Sequence, residues 1–97
     1  MHVGICLVRL RLPANHGLKD KRKIAHSIIS KVRNKFNVAV AEVDDNDLWQ
    51  RLTLGISCVS NDGRHANEVL SRVVRHIEES REDVEFLDYE LEIVSGP

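Results

Sequence analysis

Lys19, Arg22, Lys23, His26, Ser30 and Arg33 follow one another at i, i+3, i+4, i+7, i+11 and i+14. At 100° per residue this spacing sets all six on one flank of a helix, a strip about 100° wide. A row of ammonium, guanidinium and hydroxyl groups is phosphate-binding chemistry, with point charges from Lys and forked donors from Arg. Lys21, Lys31 and Lys35 on the same segment add to the positive field. The plain alternative is a solvated helix flank whose long side chains snorkel. Two features favour the binding reading. Cations in the first turns oppose the positive end of the macrodipole, at a few tenths of a kcal/mol each, so something else must favour them there. A later helical segment carries Glu68 with Arg72 and Arg75 with Glu79, i, i+4 pairs expected to neutralise one another, whereas the first has only Asp20.

Other chemistry is sparse. No glycine-rich phosphate loop follows a strand, and no Ser, Cys or His sits in a recognisable nucleophile setting, so no enzymatic activity is expected. The five histidines lack a metal spacing: His65 and His76 share a helical stripe, but eleven residues put them about 16 Å apart. Neither metal nor cofactor is expected. Cys6 and Cys58 lie in apolar segments and read as buried, reduced thiols. Glu42 reads as an edge-strand acid paired with a nearby Lys or Arg, and Trp49 as a plug of the hairpin it ends.

The charge is divided along the chain. Nine Lys and Arg stand against one acid as far as Asn37, and five Arg stand against fourteen acids after it, so a net charge of −1 hides a bipolar molecule. No apolar run approaches the roughly 20 residues that span a bilayer, and no membrane partner is expected. A cytoplasmic location follows as the expectation.

These residues need elements to hold them. Residues 3–12 read as a strand ended by Pro13, with Gly4, Cys6, Val8 and Leu10 on the face turned to helices. Residues 18–36 form an amphipathic helix with Leu18, Ala25, Ile28, Ile29, Val32 and Phe36 as its core stripe. Gly17 is its N-cap, with Asp20 placed to bond back to the cap. Residues 37–43 and 51–59 read as strands joined by the acidic stretch from Asp44 to Asp47. Asp62 caps a second helix that runs to about residue 80. Residues 84–94 alternate, with Leu87, Tyr89, Leu91 and Ile93 turned one way and Asp88, Glu90 and Glu92 the other.

One domain over residues 1–97 follows, an α+β, ferredoxin-like βαββαβ sandwich with a four-stranded antiparallel sheet and two helices on one face. This topology places Arg9 and Arg11 beside the acids of the last strand, where cross-strand pairing is ordinary. It also brings the start of the first helix near the acidic connection, which leaves neutralisation of the basic flank open. Val3, Ile5, Leu7 and Val59 would form an apolar patch on the helix-free face, suited to a homo-oligomer or a protein partner. That face lacks the aromatics on which single-stranded bases stack.

The runs His16-Gly17-Leu18-Lys19-Asp20-Lys21-Arg22, Phe36-Asn37-Val38-Ala39-Val40-Ala41-Glu42-Val43, Asp47-Leu48-Trp49-Gln50-Arg51 and Leu54-Gly55 resemble the bacterial YlxP-like family of unknown function. Gly17 stands where that family's pattern has Ser. The resemblance implies the same fold and no established reaction. It also implies genes that often neighbour those for translation initiation and ribosome maturation, hence an RNA or ribosome partner. The residues and the resemblance together predict a small RNA-binding or ribosome-associated protein acting through Lys19, Arg22, Lys23, His26 and Arg33, with Lys21 adding field.

Overall fold

In the computed structural model, which describes residues 1–97, the chain runs β1 (His2–Arg11), α1 (Leu18–Lys35), β2 (Ala39–Asp44), β3 (Arg51–Ser60), α2 (Gly63–Glu79) and β4 (Glu85–Ser95). The strands form one antiparallel sheet in the order β2-β3-β1-β4, the ferredoxin-like arrangement. β1 is one of the two inner strands, flanked by β3 and β4. Its Cys6, Val8 and Leu10 pair with Ile56, Leu54 and Leu52 of β3, and all six are buried under the helices. Ala25, Ile28 and Val32 of α1 and Leu70, Val73 and Ile77 of α2 close this core. Each such aliphatic side chain contributes about 1.5–3 kcal/mol on full burial.

The helix starts follow local chemistry. Asp62 accepts a hydrogen bond from the Arg64 amide at 2.9 Å, as its cap position requires. Gly17 caps α1 with no side-chain bond, and Asp20 does not close back onto it. α1 is therefore secured at its start by other means, described below.

β4 departs from simple alternation. A bulge between the Arg9 and Leu10 partners shifts the register, so Asp88 faces Arg9 while Phe86, not Leu87, faces Leu10. Phe86 packs against the core and Leu87 turns to solvent. Tyr89, expected inside, is half exposed because β4 is an edge strand; its ring lies against Phe86 at 6.2 Å. No helix is long and apolar enough to cross a membrane.

Candidate nucleic-acid interface

The basic flank of α1 forms as the spacing predicts. Lys19, Arg22, Lys23, His26 and Arg33 are all exposed, and the His26 ring lies 3.5 Å from the Ser30 hydroxyl. Every ion pair of the molecule lies elsewhere: Arg9 with Asp88 and Glu90, Arg11 with Glu85, Lys21 with Glu42, and Arg81 with Asp83. The acids of the hairpin and of α2 thus leave Lys19, Arg22, Lys23, Lys31, Arg33 and Lys35 without a carboxylate within 4 Å. Arg33 has one further duty: it donates to the Val40 carbonyl at 2.8 Å, covering a free acceptor on edge strand β2.

Lys21 does not belong to this surface. It is 1% exposed, and its ammonium donates to the Asp45 and Leu48 carbonyls while lying 2.8 Å from Glu42 Oε2. The contact with Glu42 is electrostatic rather than a directed hydrogen bond, since that oxygen has no donor in bonding geometry. The expectation that Lys21 adds to the outward field is corrected by helix geometry. Lys21, Ala25, Ile28 and Val32 stand at i, i+4, i+7 and i+11, the row that α1 buries. That row is the signal in the sequence that sets Lys21 apart. Glu42 is an edge-strand acid paired with a lysine, as read from the sequence.

The same latch fixes the β2–β3 hairpin. Asp45 adopts a left-handed φ of 59°, which Asp tolerates, and its carboxylate accepts from the Thr53 hydroxyl at 2.8 Å. Asn15, buried beside the start of α1, donates through Nδ2 to the Gly17 and Trp49 carbonyls. The Leu12 amide donates to the Gln50 carbonyl at 2.9 Å. With its backbone so held, the hairpin presents Trp49 at 53% exposure, so the indole is not the plug the sequence suggested. Beside it Arg11 and Arg51 are directly opposite each other in the β1–β3 register.

A second group of cations meets where α1 ends against α2. Lys35, Arg72, Arg75 and His76 line a cleft of about 430 Å³ with Phe36 at one side and Glu79 as its one acid. The predicted Glu68–Arg72 and Arg75–Glu79 pairs do not close to ion-pair distance, so these arginines are not neutralised along their own helix. The Lys35 ammonium sits 5.7 Å from the Phe36 ring centre, and that ring meets His76 edge-on at 5.6 Å. Burial, reinforced by Lys35 and Lys31, pushes the His76 imidazole below its ordinary range.

The helix-free face divides in two. Val3, Ile5, Leu7 and Val59 lie on it as the alternation predicts; Val59 is 69% exposed, Ile5 is exposed, and Val3 and Leu7 are half-buried. Toward β4 the face turns ionic, with Arg9 bonded to Asp88 and Glu90 and Arg11 3.3 Å from Glu85. These are the pairs read from the sequence.

The molecule is thus a ferredoxin-like α+β protein that presents a row of exposed cations without carboxylate partners. Residues 3–91 match the family described as "Protein of unknown function (DUF503)", and the chain belongs to that family. It is similar to the uncharacterized protein YlxP of Bacillus subtilis (strain 168), with 39% identity over 61 residues. That match covers 63% of this chain and 66% of the relative, just under two thirds of its length. Lys21, Glu42, Leu48 and Trp49 lie in the runs on which the resemblance to YlxP-like sequences rests.

Proposed function

We propose that this protein binds RNA in the cytoplasm through the outward flank of α1, with Lys19, Arg22 and Lys23 as the principal phosphate contacts and His26 and Arg33 beside them. The observation that carries the reading is the absence of any carboxylate partner for these exposed cations, in a molecule with abundant acid. Their balancing charge must come from solution ions or from an anionic partner, and polyanion binding releases such ions. Ribosomal particles, toward which the YlxP-like resemblance points, are the RNA source to try first.

The test is co-sedimentation with ribosomal particles and anisotropy of labelled structured RNA over about 50 to 200 mM salt, a range in which phosphate contacts weaken steeply. Binding that falls with salt, and is lost in the combined Lys19→Ala, Arg22→Ala and Lys23→Ala variant with its melting curve unchanged, is the expected result. Equal binding by that variant removes the α1 flank from the account.

A second reading rests on the exposed apolar half of the helix-free face, where Val59, Ile5 and Val94 meet solvent. In it the chain assembles with a second copy through that face and needs no nucleic acid. Light scattering at high micromolar concentration separates the readings, because a monomer there excludes the second.

A further inference from the structure

Trp49 is the only tryptophan of the chain, and it stands half exposed on a hairpin whose backbone is unusually well held. The Leu48 and Trp49 carbonyls accept from Lys21 and Asn15, the Leu48 amide donates to the Asp45 carbonyl at 3.0 Å, and the Gln50 carbonyl accepts from Leu12. Gln50 Nε2 also reaches the Pro13 carbonyl at 3.3 Å. The backbone is therefore fixed while the indole is free, which is the arrangement of a rigid platform.

What surrounds the indole is cationic. Arg11, Leu48, Trp49, Gln50 and Arg51, with Asp47 as the single acid, line an open cleft of about 500 Å³. Arg11 and Arg51 are cross-strand partners, and like charges directly opposite each other destabilise a sheet. Glu85 offsets Arg11 from 3.3 Å, but Arg51 has no carboxylate within 4 Å. An anion over this pair relieves the repulsion, and a flat π-system beside it covers the indole. A nucleotide carries both an anion and a flat π-system.

We propose that Trp49 is a stacking platform for one unpaired nucleobase of RNA, with the neighbouring phosphate seated on Arg51 and Arg11. The site rests on the RNA-binding reading and adds to it, because it selects single-stranded over duplex segments. A base inside a duplex is already stacked and cannot reach the indole. The site also lies next to the start of α1: Asn15 bonds the Trp49 carbonyl and, at once, that of Gly17, which stands two residues before Lys19. One strand running from the hairpin onto the first turn of α1 would meet both.

Being the only tryptophan, Trp49 reports on its own occupancy. The experiment titrates the full chain with an RNA single strand of about eight nucleotides, with the same sequence as a duplex, and with inorganic polyphosphate. Trp49 emission and anisotropy of the labelled RNA are followed together. The single strand is expected to quench Trp49, while duplex and polyphosphate bind without quenching. Trp49→Leu, checked for an unchanged melting curve, should weaken single-strand binding about tenfold to a hundredfold and leave duplex binding unaltered, since base–aromatic stacking carries energy of that order. Single-strand binding without quenching, and undiminished in Trp49→Leu, overturns the platform while leaving the α1 reading intact. Equal quenching by polyphosphate overturns it too, because the indole then senses only nearby charge. Quenching or an emission shift on concentrating the protein alone assigns Trp49 to contact between copies. Failure of every RNA to bind removes both this site and the function on which it rests.

Discussion

Lys19 and Lys21 are two residues apart and chemically alike, yet a 200° turn of helix sends one to solvent and the other beneath α1. Lys21 holds two hairpin carbonyls and Glu42, so its removal leaves a carboxylate without its cation as well as two acceptors without a donor. Lys21→Met is expected to cost about 3 kcal/mol in urea denaturation, the low end for breaking a buried ion pair because Glu42 retains some solvent. Lys19→Ala should stay within about 0.5 kcal/mol, as surface changes do. Similar losses for both would contradict the latch. His76 gives a second prediction at this scale. Its folded pKa lies below the ordinary 6.5 through burial and the nearby Lys35 and Lys31, with Glu79 opposing and Arg72 and Arg75 lining the same cleft. The unfolded chain then takes up a proton that the native chain refuses, so this contribution is full above about pH 7 and is lost as pH falls below 6.5 and on through the lower folded pKa. An NMR titration of His76 with a midpoint at or above 6.5 would contradict that sign. At this scale the sequence was legible for charge and spacing, since the exposed positions of Lys19, Arg22 and Lys23 follow from a 3.6-residue period alone. The exposure of Trp49 was not, because it depends on where the Asn15, Leu12 and Lys21 bonds hold the hairpin backbone.

The strands and helices read well from pattern where one force dominates. Core alternation in β1 and β3 and the stripe of α1 recur in the structure, because an apolar face has one place to go. Reading failed where a single residue shifts the register. The bulge in β4 exchanges Phe86 for Leu87, and strict alternation cannot announce it. Close approach decides a third prediction. On β3 a Cβ at Gly55 would lie 2.7 Å from Val43 Cγ1, so Val43 on β2 folds over a space that only glycine leaves. Gly55→Ala should cost about 1–3 kcal/mol by thermal or urea melting, the range for overpacking. The loss should shrink when Val43 is also changed to Ala, a non-additivity that independent sites would not show.

The whole molecule is long for its mass, 44 × 22 × 20 Å, and its cations and acids are divided between the two parts of its sequence. Net charge is therefore a poor guide to its behaviour. At pH 7.5 the chain is above its isoelectric point of about 6.5, yet the α1 flank should hold it on a heparin column at low salt. The combined Lys19, Arg22 and Lys23 variant should elute at markedly lower salt, and a wild-type chain that passes unretained would argue against the exposed flank. The division of charge between the first 37 residues and the rest was plain in the sequence. Whether the two halves cancelled was not, since that turned on distances that topology does not set. The strand order carries one more consequence. β1 lies between β3 and β4, so His2 ends beside Ser95. During synthesis, a ribosome that has released β1 to α2 has made a sheet whose central strand still lacks a neighbour on one side. A nascent chain halted before residue 85 would carry that open β1 edge into the cell, exposed to pairing with any other extended strand it met.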